Sequence, residues 1–143
     1  PVGGGGLISG VSLFIKAEKP DAKIYGVQSN KAASMYESLK AGKPVRLEDF
    51  HTIADGLAPG EPGQLTFRLV RDNVEAMLLT SDERIRLATR IALESLHLLI
   101  EPSGAAVIAA LGDSYKPRRG ENVVLVISGG NISLKLLREM LAT

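Results

Sequence analysis

Pro1-Val2-Gly3-Gly4-Gly5-Gly6-Leu7 opens the chain, and the apolar periodicity of a helix begins at Leu7. Successive residues without a Cβ let the backbone turn its N–H groups toward one point, and a following helix N-terminus adds partial positive charge. The stretch reads as an anion cradle, most often one for phosphate. It is not a P-loop, because no Lys-Ser or Lys-Thr follows the glycines. Gly3-x-Gly5 and Gly4-x-Gly6 are followed at the required positions by Ile8 and Ser9, so the dinucleotide fingerprint fails too. A flexible glycine linker has the same composition, but here a patterned helix begins at once. Glycine phosphate loops sit at the carboxyl end of a buried strand. The chain is therefore expected to be a piece of a longer protein, cut just before its loop.

Outward from the loop, Leu7, Val11, Phe14 and Ile15 form a helical stripe over 7–17, ended by Lys19-Pro20. Lys23 to Val27 reads as a strand, with Asn30 as the expected cap of a helix over 31–40 that Gly42 stops. Pro44 to Gly63 carries Asp55-Gly56, Pro59-Gly60 and Pro62-Gly63 and is loop. A short helix from Gln64 leads to a buried strand over 75–80. Ser81 caps a helix over 82–98, with Ile85, Ala88, Ala92 and Leu96 on one face. Gly104 to Leu111 is a small-residue helix that packs closely. Asn122 to Ile127 is a Val-rich strand of the parallel kind, Ser128-Gly129-Gly130-Asn131 its exit loop, and 134–141 a closing helix. Three strands alternating with helices give an α/β fold of three layers around a mainly parallel sheet.

Composition narrows the classes. The 143 residues suffice for one domain, 45% of them are apolar, and the net charge is +1. Scattered basic residues with only three Phe and three Tyr argue against nucleic acid. No apolar run has the length of a membrane span, and no secretory pattern is present, so neither a membrane nor export is expected. The absence of cysteine excludes disulfides, thiol nucleophiles and thiolate metal sites, and suits a reducing cytoplasm. His51 and His97 are the available imidazoles and read as surface or helix-packing residues.

In open parallel sheets, ligands bind beyond the carboxyl ends of the strands. Gly3 to Gly6 and Ser128 to Asn131 qualify, with Glu101-Pro102-Ser103-Gly104 heading another helix. Gly3-Gly4-Gly5-Gly6-Leu7, Thr52-Ile53-Ala54-Asp55-Gly56, Glu101-x-x-Gly104-Ala105 and Ser128-Gly129-Gly130-Asn131 stand here in order. In residues and spacing the chain resembles the pyridoxal-phosphate-dependent threonine dehydratase and serine racemase family, whose fold is tryptophan synthase β-like. The resemblance covers 1–143, as the C-terminal half of the catalytic domain and most of its large domain.

The resemblance implies that Gly3, Gly4, Gly5 and Gly6, with Leu7 beside them, bind the phosphate of pyridoxal 5′-phosphate. It implies that Ser128, flanked by Gly129, hydrogen-bonds the pyridine nitrogen, and that Glu101 lies close to the ring. Glu101 is equally a carboxylate favoured by a helix start. Asp55 and Gly56 become candidate active-site wall. The implied reaction is deamination of threonine or serine to a 2-oxo acid and ammonia, with racemisation or β-replacement as sister activities. A non-catalytic half-domain that binds phosphate or complements a second chain is the alternative from another class.

The departures are equally specific. The family's anchor lysine belongs to a Ser-x-Lys-x-Arg motif upstream of the glycine loop. The one such spelling in this chain, Ser114-Tyr115-Lys116-Pro117-Arg118, follows the loop instead of preceding it, so no anchor lysine is assigned here. The chain alone is expected to be inactive and to need its missing N-terminal half. Racemase-like members that bind a divalent cation carry acidic ligands where Gln28 and Ser34 stand here, so no metal is expected. A regulatory domain is not expected either. The complete protein should be a cytoplasmic homo-oligomer acting on a small amino acid.

Overall fold

The computed structural model describes residues 1–142. Two strands form its sheet: β1 (Tyr25–Ser29) and β2 (Ala76–Thr80), parallel, in register from Tyr25 opposite Ala76 to Ser29 opposite Thr80. Six helices surround them: α1 (Gly6–Glu18), α2 (Ser34–Ala41), α3 (Gln64–Asn73), α4 (Asp82–Leu96), α5 (Pro102–Ala110) and α6 (Leu134–Leu141). Strand side chains alternate between faces, and this alternation builds the layers. Val27 and Leu78 point into a core with α4 and α5, made of Ile85, Ala88, Ala92, Ala105, Ala106 and Ala109. Met77 points the other way, into a core of Val2, Ile8, Met35, Phe67 and Val70. The result is helix, parallel sheet, helix.

Local signals account for most boundaries. The Ser81 side chain accepts the N–H of Arg84 at 3.4 Å and caps α4, as its sequence indicates. Gly42 ends α2 in the left-handed conformation, φ 69°. α5 owes its close approach to α4 to Gly104 and its alanines, of which Ala105 and Ala106 are fully buried.

Several expectations are corrected. Residues 122–127 are not a strand. Among the described residues they make no main-chain hydrogen bond, because no strand offers them an edge. An apolar groove of about 680 Å³ lies between them, β1, α1 and α5. Val124 is 86% exposed there despite its strand-like sequence. Asn30 does not cap α2, which begins at Ser34. Instead the Gln28 side chain accepts the Tyr36 N–H at 2.9 Å, and Asn30 donates its own N–H to Thr80. The stripe on α1 is also displaced: Ile8, Ser9 and Ser12 are buried while Leu7 and Phe14 are exposed, as is Leu96 on α4. Periodicity marks an apolar face, but only a neighbouring element buries it.

Candidate functional site

At the carboxyl end of β1 the chain folds around a cavity of about 260 Å³, lined by Pro1 to Ile8, Gly56, Leu57, Glu101, Ser103 and Ser128. Its first wall is the glycine loop. Val2 donates its N–H to the Val27 carbonyl at 2.9 Å and anchors the loop beside β1. Gly5 then turns into the left-handed region, φ 91° and ψ 2°, and caps α1. A side chain is strained there, since a Cβ would stand 2.7 Å from Met35 Cε and 3.0 Å from Thr66 Cβ. Thr66 pins the loop from α3 by donating its hydroxyl to the Gly4 carbonyl at 2.6 Å.

The consequence is a row of free donors. Among the described residues, the main-chain N–H groups of Gly3 through Ile8 reach no protein acceptor. They line the cavity at the positive end of the α1 dipole, which is the electrostatic requirement for an anion. Across the cavity, the N–H groups of Ser103 and Gly104 in the first turn of α5 are unpaired as well.

The opposing wall is assembled from distant segments. A Cβ on Gly104 would stand 2.5 Å from the Ser128 carbonyl oxygen, so the exit loop rests directly on the start of α5. Gly129 has φ 92°, and the Glu101 carboxylate lies where its Cβ would be, so any other residue is strained there and displaces Glu101. The turn at Asp55–Leu57 closes a third side.

Of the residues singled out from sequence, the cavity brings together Gly3, Gly4, Gly5, Gly6, Leu7, Gly56, Glu101 and Ser128. Asp55 and Gly129 are not in its lining. The Asp55 carboxylate is exposed and accepts the N–H of Gly56 at 2.8 Å, so it shapes its own turn instead of facing the cavity. His97 ends α4 with φ 55° and, like His51, is exposed outside the site.

Three contributors escaped the sequence reading: Thr66, Ser103 and Asp82. Asp82 is 8% exposed at the start of α4. It accepts from Thr52 Oγ1 at 2.5 Å, Ser29 Oγ at 3.0 Å and the Ile53 N–H at 3.3 Å, with Lys31 Nζ at 3.4 Å. Burial opposes its ionisation, but the hydrogen bonds and Lys31 outweigh it and hold the carboxyl below the ordinary aspartate range. Thr52 and Ile53 lead directly into the Ala54–Leu57 turn, so this cluster fixes the wall that carries Gly56. Its spacings, 53 residues to Ser29 and 30 to Thr52, are invisible to local pattern.

Gln28 and Ser34 offer neutral groups, and Gln28 Oε1 is taken by Tyr36. Among the described residues no group of three or more His, Cys, Asp or Glu is placed to hold a metal ion.

Pyridoxal phosphate fits what is present. The free N–H row suits a phosphate dianion, and the facing wall offers a hydroxyl at Ser128 and an unpartnered buried one at Ser103. The comparisons with known proteins agree. Residues 1–129 match the family model described as pyridoxal-phosphate dependent enzyme. An L-threonine ammonia-lyase of Thermotoga maritima is 43% identical over 137 residues, covering 96% of this chain and 34% of that protein. The chain thus spans about a third of that relative's length. Among solved structures, the processed form of threonine deaminase isoform 2 from Solanum lycopersicum superposes with a TM-score of 0.91 at 38% identity, covering 99% of this chain and 42% of that one. Maize serine racemase gives a TM-score of 0.89 at 38% identity, covering 97% and 44%. The cradle, the wall facing it and these likenesses lead to one conclusion: the chain belongs to the pyridoxal-phosphate dependent enzymes.

Proposed function

We propose that the complete protein is an ammonia-lyase that converts threonine or serine to a 2-oxo acid and ammonia, and that this chain supplies most of its cofactor pocket. The observation that carries the reading is the row of free N–H groups from Gly3 to Ile8, facing Glu101 and Ser128 across one cavity. Bound pyridoxal phosphate supplies an electron sink next to the substrate α-carbon, which allows the α-proton and then the β-hydroxyl to leave.

The chain's own residues do the rest. Gly3 to Ile8 and the α1 dipole hold the phosphate. Ser128 meets the ring nitrogen with a neutral hydroxyl, which does not favour a protonated ring as a carboxylate would. That suits quick loss of a hydroxyl over prolonged storage of negative charge. Gly56 and Leu57 limit water access, and the Asp82 cluster keeps them in place. The base for the α-proton comes from a Ser-x-Lys-x-Arg segment upstream of the glycine loop. Lys116, in the one such spelling of this chain, is exposed and outside the cavity lining, so this chain alone is inactive.

The test is to supply threonine and serine to the complete protein with pyridoxal phosphate, and to assay 2-oxo acid, ammonia and the D-amino acid. We expect the 2-oxo acid and ammonia. Racemisation is the second reading, favoured by the likeness to maize serine racemase, and D-serine as the main product would select it. Ser128→Ala should weaken cofactor binding by roughly 1 kcal/mol, the worth of one hydrogen bond, and slow turnover more than that. Wild-type rate and product ratio in this variant would remove Ser128 from the ring.

The remainder of the enzyme would dock along the groove between β1 and residues 122–127. The Val2 to Val27 hydrogen bond is already the first rung of a ladder there, and an open apolar edge favours association. The isolated chain should therefore self-associate or pack loosely. A monodisperse monomer by sedimentation, with protected amides from Val123 to Ile127 by hydrogen exchange, would overturn this. We place the complete protein in the cytoplasm as a homo-oligomer, on the family resemblance. No described helix is long and apolar enough to cross a membrane.

A further inference from the structure

Ser103 is the second residue of α5 and is 4% exposed, yet its Oγ has no hydrogen-bond partner among the described residues. Buried helix hydroxyls can bond the carbonyl four residues back, as Thr89 does with Ile85 at 2.9 Å and Ser38 with Ser34 at 2.6 Å. The Ser9 and Ser34 hydroxyls are unpartnered too, but Ser103, unlike them, lines the cavity. Ser103 stands in the first turn, where no helical carbonyl precedes it. The residues after it, Gly104, Ala105 and Ala106, are small and without side-chain polar atoms. Alanine would fill the same space with no polar atom to satisfy. A buried hydroxyl left unpaired costs about 1–3 kcal/mol. The open space that Ser103 lines is the cofactor cavity.

Position within the cavity narrows the partner. A Cβ on Gly56 would stand 2.8 Å from Ser103 Oγ and 3.9 Å from Glu101 Oε1, so hydroxyl and carboxylate share one stretch of wall beneath the Asp-Gly turn. A phosphate placed there would be repelled by Glu101. The larger set of free donors for a phosphate lies on the glycine loop. The wall bearing Ser103, Glu101 and Ser128 is thus suited to a ring.

We propose that Ser103 is a further cofactor-binding residue, its hydroxyl donating to an acceptor on the ring of bound pyridoxal phosphate, away from the phosphate group. The inference rests on the reading that this cavity takes pyridoxal phosphate. Its test uses the complete protein, stripped of cofactor, as wild type and as Ser103→Ala. Three probes are titrated: pyridoxal phosphate, pyridoxal without the phosphate, and inorganic phosphate as a competitor. Ser103→Ala should weaken the first two about fivefold, the worth of one hydrogen bond, and leave competition by inorganic phosphate unchanged. The melting temperature of the cofactor-free protein should not fall, because the change removes only an orphaned hydroxyl.

Wild-type affinity for both pyridoxal compounds in the variant would overturn the proposal. So would a fivefold loss confined to pyridoxal phosphate and inorganic phosphate, which would move Ser103 to the phosphate. Equal destabilisation of the cofactor-free and loaded proteins would reduce Ser103 to packing. A wild-type protein that binds neither pyridoxal compound would instead sink the functional reading, and that outcome appears before any variant is made.

Discussion

Gly5→Asp weakens pyridoxal-phosphate binding by the complete enzyme at least about a hundredfold, or about 2.8 kcal/mol. Two effects combine. Gly5 sits at φ 91°, and a Cβ there would press to 2.7 Å from Met35 Cε, so any side chain strains the turn that aims the N–H row. A left-handed non-glycine residue costs about 1–2 kcal/mol before the clash is counted. The carboxylate then places negative charge in a cradle built for an anion. Gly5→Ala separates the two contributions: it keeps the strain without the charge and should lose about tenfold, or 1.4 kcal/mol. Equilibrium dialysis with the cofactor reads both variants. Retention of wild-type affinity by Gly5→Asp would mean that the glycines form a turn and nothing more.

Asp82→Ala should destabilise the complete enzyme by about 3 kcal/mol, because hydrogen bonds to a charged acceptor are worth roughly 1.5–3 kcal/mol and their donors are left behind. Those donors are the Ser29 and Thr52 hydroxyls and the Ile53 N–H. The loss should be local as well as global, with faster hydrogen exchange at Ile53, Ala54 and Leu57 and a higher KM through the loosened Gly56 wall. Asp82→Asn keeps the shape without the charge and should cost less. The pH dependence has a definite sign. The folded carboxyl is held below its unfolded value, so its contribution is fully present above the ordinary aspartate pKa of about 3.9. It is lost as pH falls from there through the folded value. The stability gap between wild type and Asp82→Asn should therefore stay constant from neutrality down to about pH 5 and close below about pH 4. A gap that ignores acid would show that Asp82 is not the charged partner. An unchanged denaturation midpoint in Asp82→Ala would show that the cluster holds nothing.

What local pattern could establish, it did. Four consecutive glycines followed by helical periodicity point to a helix start with unpaired N–H groups, and Gly3 to Ile8 have them. Alternation of strands and helices specifies a parallel α/β layer, and Ser81 and Gly42 mark helix ends through their own chemistry. The motifs around Gly56, Glu101 and Ser128 named, in order along the chain, residues that line one cavity.

The tertiary structure decided everything that depends on a distant partner. Residues 122–127 have a strand's sequence but no strand, because a ladder needs a second edge and none reaches them. Leu7 and Phe14 are apolar yet exposed, because burial is a property of the neighbour as much as of the residue. Asn30 yielded the capping of α2 to Gln28, which reaches the helix from β1 and not from the preceding turn. Asp55, exposed, accepts the N–H of Gly56, and it is Gly56 that lines the cavity. Asp82 met Ser29 and Thr52 across 53 and 30 residues of chain, and Ser103 came to line one cavity with the glycine loop; such meetings leave no periodic trace in a sequence.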